Sequence, residues 1–207
     1  MAGTGELRSR QPARIVGREA VLARLRGLLD PVPRAGQVLL VTGDGGMGKT
    51  VLLADAAGRA RSAGMRALSV SGRESESNLA FAGLHQLLRP VLSSAAALPD
   101  RQRQALLGAL GLAAAPVAPD PLLIGVAVLT LLSDLSERSP VLVVADDVHW
   151  LDRSSLDVLA FTGSRLDAEP VVLLVSARGQ APPGGFDRGF PELHLEPLSA
   201  AAADRPA

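Results

Sequence analysis

Short apolar runs alternate along the chain with longer segments in which apolar residues recur every three or four positions. The runs are typical of buried parallel strands, and the longer spacing is typical of amphipathic helices. The predicted strands cover residues 37–42, 66–71, 141–145, 171–176 and 192–195, and the predicted helices residues 21–29, 48–63, 84–91, 101–112, 122–135 and 154–163. This alternation predicts an α/β fold, a three-layer αβα sandwich with a five-stranded parallel sheet.

Two of the predicted helices carry signals for their ends. Pro90 has no backbone N–H to donate, so the helix over residues 84–91 must end or bend there. Ser154 and Asp157 can form a capping-box-like start for the last helix.

Composition narrows the class of protein. A chain of 207 residues is long enough for one well-buried α/β domain, or at most two small ones. Its 21 basic and 21 acidic residues balance, so there is no basic excess that would indicate direct contact with nucleic acid. The longest apolar run, residues 122–132, is too short to span a bilayer, and the N-terminus lacks the apolar core of a signal peptide. We therefore expect a cytoplasmic protein without membrane contact.

The first strand leads into a glycine-rich loop that matches the phosphate-binding motif in full, from Gly43 through Gly48 to Lys49 and Thr50. Glycines let backbone N–H groups approach a polyphosphate, and the following helix N-terminus favours anions. Lys49, the only lysine in the chain, can reach the β- and γ-phosphates, and the Thr50 hydroxyl can ligate Mg²⁺. The predicted ligands are ATP or ADP and Mg²⁺. The predicted nucleotide-binding residues of the loop are Gly43, Asp44, Gly45, Gly46, Met47, Gly48, Lys49, Thr50 and Val51.

Acidic residues follow the third strand. Because the carboxyl ends of parallel strands share one edge of a sheet, Asp146 is placed to hold Mg²⁺ and Asp147 to orient or deprotonate an attacking water. The alternative is a plain Asp-Asp turn. Asp152 has two interpretations that the residues leave open, support of the metal site or capping of a helix that begins near Arg153.

Three other residues lie near this predicted edge. Arg178 follows the fourth strand and is either a sensor of the γ-phosphate or a solvated surface arginine. His149 and Trp150 are predicted to pack the loop after the third strand, and base stacking is the alternative for Trp150. The chain's three histidines have no spacing suited to a metal site.

Four stretches together resemble the N-terminal ATPase module of large ATP-binding LuxR-type transcriptional regulators, which belong to the STAND class of signal-transduction ATPases related to AAA proteins. The stretches are residues 16–19 (VGRE), the phosphate-binding loop, residues 81–90 (FAGLHQLLRP) and residues 146–152 (DDVHWLD). The resemblance implies phosphate and Mg²⁺ binding by Lys49 and Thr50, metal binding by Asp146, water positioning by Asp147 and γ-phosphate sensing by Arg178. It further implies that Gly17 and Arg18 lie near the adenine, and it leaves open self-association through the ATPase domain.

Composition and the resemblance together set the expected domain organisation. Residues 1–14 are predicted to be a disordered arm, residues 15–198 an ATPase domain, and residues 199–207 the start of a truncated lid or a disordered tail. Such regulators continue into a helical lid and a DNA-binding output, so we expect a slowly hydrolysing ATP switch that lacks this output. Two alternatives remain: a phosphotransferase that acts on a small molecule, and a nucleotide-binding interaction module or remnant without turnover.

Overall fold

The computed structural model describes residues 17–30, 32–114, 120–179, 183–186 and 189–197. The predicted arm over residues 1–14 and the predicted segment over residues 199–207 therefore lie outside the described residues. The helices are α1 (Glu19–Leu29), α2 (Lys49–Ser62), α3 (Ala82–Leu88), α4 (Asp100–Ala109), α5 (Pro121–Ser136) and α6 (Arg153–Gly163), and the strands are β1 (Gln37–Thr42), β2 (Arg66–Ser71), β3 (Val141–Asp146), β4 (Val171–Ser176) and β5 (Glu192–His194).

The five strands form one parallel sheet in the order β2-β3-β4-β1-β5. β4 lies between β1, which leads into the phosphate-binding loop, and β3, which ends in the acidic residues. The carboxyl ends of these three strands are therefore neighbours on one edge of the sheet, where ligands bind in open α/β folds.

Successive residues of the three central strands face opposite sides of the sheet, and each side has its own apolar cluster. One cluster joins the sheet to α1 and α2 and includes Leu39, Val41, Leu142, Val144, Val172 and Leu174. The other joins it to α3, α4, α5 and α6 and includes Leu40, Val141, Val143, Ala145, Val171, Leu173 and Val175. Helices on both faces of a parallel sheet confirm the predicted three-layer sandwich.

Most element boundaries differ from the predicted ones by one to three residues. Pro90 does end α3, but the chain continues as a 3₁₀-helix over Arg89–Ala97, in which a proline near the first position is tolerated. The predicted capping box of Ser154 and Asp157 is wrong. Asp152 caps α6 instead, because its carboxylate accepts the Ser155 N–H at 2.9 Å. Among the described residues, no helix has both the length and the apolar character needed to cross a bilayer.

Candidate functional site

The loop between β1 and α2 has a backbone that only glycine adopts without strain. Gly46 and Gly48 have φ angles of 81° and 83°, in the left-handed region. Gly43 meets a different constraint, since a Cβ atom there would lie 2.8 Å from the Leu195 carbonyl oxygen, just after β5. Positive φ angles turn backbone N–H groups toward a common side, which is the geometry of an anion-binding loop.

Lys49 begins α2 and lies folded back over the loop. Its side chain is almost fully buried, and its Nζ atom donates to the carbonyl oxygens of Gly43 at 2.7 Å and Asp44 at 2.8 Å. An ammonium group has three donors, so one remains for a ligand. The N-cap residue, Gly48, has no side chain that could accept a hydrogen bond. The first backbone N–H groups of the helix are therefore not capped by this residue.

The two acidic residues after β3 are held in different ways. Asp146 is buried, and its Oδ1 atom accepts hydrogen bonds from the Ser176 hydroxyl and, at 3.1 Å, from the Asp147 N–H. Asp147 is a non-glycine residue with φ 48° and ψ 46°, a left-handed conformation that is strained for most side chains. Its backbone N–H also donates to Ser176 Oγ at 2.9 Å. The Asp147 side chain at this turn is 40% exposed.

Ser176 is a functional candidate that the sequence reasoning missed. It is fully buried at the end of β4, beside the end of β3. The available signal was a hydroxyl that closes an otherwise apolar strand on the edge of the sheet that bears the acids.

A metal ion has suitable ligands in this site. Thr50 and Asp146, the predicted Mg²⁺ ligands, line the same cavity of about 260 Å³ between α2 and the β2 edge of the sheet. Ser69, Ser71 and Gln86 also line this cavity, together with apolar residues of α2, β2 and β3. A hydroxyl and a single carboxylate suit Mg²⁺, which keeps part of its water shell and takes further oxygens from phosphates.

Two arginines flank the loop. Arg178 is exposed, and its guanidinium lies against the loop, since a Cβ atom built on Gly45 would be 3.2 Å from Arg178 Nη2. Arg18 Nη2 donates to the Met47 carbonyl oxygen at 3.3 Å. The structure thus brings both arginines to the loop, whereas the adenine contact of Arg18 and γ-phosphate sensing by Arg178 stay predictions.

His149 lies beside Asp147, with 3.9 Å between its Nδ1 atom and Asp147 Oδ1. Its ring packs at a tilt against the Trp150 ring, with 5.2 Å between centroids, as expected for loop packing. The pKa of His149 is lowered below its usual value, and burial of the ring is the largest cause. Asp147 and Asp146 act in the opposite direction, and the charges of Arg178 and Lys49 lower it further.

Asp152 caps rather than faces the site. Its buried carboxylate accepts the backbone N–H groups of Phe81 at 2.8 Å, Gly83 at 2.9 Å and Ser155 at 2.9 Å. Ser155 Oγ accepts a further N–H from Leu84 at 2.7 Å. The start of α3 is therefore fastened to the turn that carries the acids, which gives residues 81–84 a structural role.

The chain is similar to known proteins in both sequence and fold. Residues 14–175 match the AAA ATPase domain family. No curated protein matches. The fold is similar to Cdc6p from Pyrobaculum aerophilum (TM-score 0.58, 16% identity, 92% of this chain and 48% of that chain) and to the Aeropyrum pernix ORC2 protein in ADPNP and ADP complexes (TM-score 0.54, 16% identity, 91% and 50%).

A third similar structure is Drosophila ORC bound to DNA (TM-score 0.56, 17% identity, 86% of this chain and 42% of that chain). At these identities the likeness shows the fold alone, and the chain spans about half the length of these proteins or less. The sequence match is broader evidence, because it covers well over half of the 207 residues. The chain belongs to the AAA ATPase domain family.

Proposed function

We propose that the chain is an ATP-binding switch module that hydrolyses ATP slowly. The observation that carries the proposal is the meeting of three groups at the ends of adjacent strands: the phosphate-binding loop after β1, Asp146 and Asp147 after β3, and Arg178 after β4. A loop that binds phosphate, acids that can hold a metal and water, and a cation beside the loop are the parts that phosphoryl transfer requires.

Each part has a stated task in this proposal. The loop amides and the α2 N-terminus hold the phosphates, the third Lys49 donor reaches the β- and γ-phosphates, and Arg178 contacts the γ-phosphate. Thr50 and Asp146 would hold Mg²⁺, which neutralises phosphate charge when bound. Asp147 orients the water that attacks the γ-phosphate. The nucleotide complexes of the similar Aeropyrum pernix protein support ATP or ADP as the ligand.

Slow turnover is proposed because the site is open to solvent. Thr50 and Arg178 are exposed, and the Asp147 side chain is 40% exposed. Water weakens the attraction between these charges and a phosphate, whereas its exclusion strengthens such contacts. A covering segment or a second subunit would therefore accelerate the reaction.

The link to LuxR-type regulators is part of the proposal. The two stretches that carry this resemblance, residues 81–90 and 146–152, contact each other, since Asp152 accepts the N–H groups of Phe81 and Gly83. A change at the acids on binding ATP would then reach α3 directly. Nucleotide is the proposed partner, with self-association as a second, and direct contact with nucleic acid is not proposed for this chain.

Calorimetric titration with Mg·ATP tests nucleotide binding. We expect one site in the native chain and little or no binding by Lys49→Ala, because that substitution removes the buried ammonium group. Arg59→Ala is the matched control. It removes another cation from α2, but one in an exposed ion pair with Asp55 at 2.6 Å. Equal binding by the native and Lys49→Ala chains would contradict the proposal.

Hydrolysis is tested separately with the two acids. Asp146→Asn should weaken Mg²⁺-dependent binding, whereas Asp147→Asn should keep binding and lose turnover by a factor on the order of 10²–10⁴. Identical defects in both assays would mean that the two roles are wrongly assigned. Binding without turnover in the native chain would favour the interaction module, and transfer of label from ATP to a metabolite would favour the phosphotransferase.

A further inference from the structure

The two ring nitrogens of His149 are the unexplained polar atoms of this site. Both are buried, and neither finds a hydrogen-bond partner among the residues that the structure describes. A buried nitrogen without a partner costs free energy, and folded proteins satisfy most such groups. Packing against Trp150 does not explain the nitrogens, because a phenylalanine ring would pack in the same way. The imidazole therefore suggests a partner outside the residues that the structure describes.

The position of the ring indicates which ligand. His149 Nδ1 lies 3.9 Å from Asp147 Oδ1, too far for a direct hydrogen bond, and one water molecule can span this distance once the buried Nδ1 atom is uncovered. The positive charges of Arg178 and Lys49 also act on the ring, and both lower the pKa of His149.

We propose that His149 is a second catalytic residue, which holds the attacking water together with Asp147. The inference rests on the proposed ATP hydrolysis. The water donates one O–H to Asp147 Oδ1 and the other to His149 Nδ1, which leaves an oxygen lone pair free to attack. The uncharged ring that this requires agrees with a pKa lowered by burial, by Arg178 and by Lys49.

The chemical step balances without a further reactant. The water oxygen forms a bond to the γ-phosphorus, and the bond from that phosphorus to the β–γ bridging oxygen breaks. Its electron pair leaves with ADP. One water proton passes to Asp147 and then to solvent, while His149 only accepts a hydrogen bond and takes no proton.

Aluminium fluoride with Mg·ADP is the probe, because this complex mimics a phosphoryl group in transfer with its water in place. The full chain is titrated with Mg·ADP in the presence and absence of aluminium fluoride. His149→Phe keeps the ring but removes both nitrogens, and His149→Asn places an amide near the position of Nδ1. His85→Phe is the matched control, since it makes the same change on α3, at a position that does not line the cavity of Thr50 and Asp146.

We expect His149→Phe to bind Mg·ADP like the native chain. The factor by which aluminium fluoride raises the affinity for Mg·ADP should be on the order of tenfold smaller in the variant. His149→Asn should regain part of it, and His85→Phe should lose none. In ¹⁵N NMR spectra of the native chain, the Nδ1 resonance of His149 should move with aluminium fluoride and not with Mg·ADP alone. This last measurement decides the matter if His149→Phe does not fold.

Three results would overturn the inference. The first is an equal gain in affinity with aluminium fluoride in His149→Phe and the native chain, and the second is no gain in a native chain that binds Mg·ADP. The third is an Nδ1 resonance of His149 that does not move when aluminium fluoride is added. A native chain that binds no Mg·ADP would instead contradict the proposed function, and the inference with it. The titration without fluoride thus separates the two failures.

Discussion

The Ser176 hydroxyl at the end of β4 donates a hydrogen bond to Asp146 Oδ1 at the end of β3. The same hydroxyl oxygen accepts the backbone N–H of Asp147 at 2.9 Å, so one side chain fixes both acids. Because the described hydrogen bonds of the Asp146 carboxylate all fall on Oδ1, its Oδ2 atom is available as a metal ligand. The pairing of β3 with β4 thereby positions the candidate metal site.

Ser176→Ala should therefore impair the metal site. The substitution removes the donor to a buried carboxylate and the acceptor for the Asp147 N–H. We expect a loss of about 1–3 kcal/mol in the free energy of unfolding and a several-fold weaker Mg²⁺-dependent affinity for ATP. Denaturant unfolding and titration at varied Mg²⁺ concentration measure these effects.

Thr162→Val provides the control for Ser176→Ala. Thr162 is also buried, but its hydroxyl donates to the Val158 carbonyl oxygen within α6, away from the acids. We expect Thr162→Val to leave ATP affinity unchanged. If Ser176→Ala also kept its Mg²⁺ dependence, Ser176 would not orient the metal ligand.

Asp152→Asn should lower the stability of the chain without changing the Mg²⁺ dependence of ATP binding. Asp152 Oδ1 accepts the N–H groups of Phe81 and Ser155, and Oδ2 accepts that of Gly83. An amide has only one oxygen, so at least one N–H would face an NH₂ group. We expect a loss of about 1–3 kcal/mol in unfolding free energy and near-native Mg²⁺ dependence of ATP binding.

Asp120→Asn is the matched substitution, since Asp120 caps α5 from an exposed position. Its two N–H bonds, from Leu122 and Leu123, both go to Oδ1, which asparagine can replace. We expect almost no change in stability. A specific loss of Mg²⁺ dependence in Asp152→Asn would revive the alternative that Asp152 supports the metal site.

The contrast between these residues shows what the sequence could predict. The phosphate-binding loop is local: its glycines, Lys49 and Thr50 lie within eight positions, and their motif and the periodicity around it predicted both loop and fold. Ser176 is 30 positions from Asp146, and Phe81 is 71 from Asp152. Contacts at such separations depend on strand order and register, which periodicity does not determine. The structure was therefore needed to find the hydrogen bond from Ser176 to Asp146. It was also needed to choose between the two interpretations of Asp152.

Gly72→Ala should disturb the acidic turn from the neighbouring strand. Gly72 follows β2, and a Cβ atom there would overlap the Asp147 carbonyl oxygen and lie 2.8 Å from the Leu151 N atom. Both obstacles are backbone, so the turn must move. We expect a loss of about 1–3 kcal/mol in unfolding free energy and slower ATP turnover.

Gly58→Ala is the control. It makes the same change in an exposed part of α2 where a Cβ meets nothing within 4 Å, and it should stabilise the chain by about 0.5–1 kcal/mol. Equal stabilities for the two variants would show that the backbone at residue 72 is not crowded.

The stability of the native chain should fall with decreasing pH through the titration of His149. The folded state lowers the pKa of His149, chiefly by burial. The unfolded state, with a pKa of about 6.5, therefore binds the proton more readily. The His149 contribution to stability is complete above that value and is lost progressively as pH falls through the folded pKa.

His149→Phe isolates this effect, because His85 and His194 remain in both chains. We expect the free energy of unfolding, measured in denaturant from about pH 8 to about pH 5, to fall more steeply in the native chain than in the variant. The variant should also be at least as stable as the native chain near neutral pH, since it removes two buried nitrogens without partners among the described residues.

Parallel pH profiles for the two chains would mean that folding does not lower the pKa of His149. A native profile that rises toward low pH would mean that the neighbouring carboxylates of Asp146 and Asp147 outweigh burial and the charges of Lys49 and Arg178.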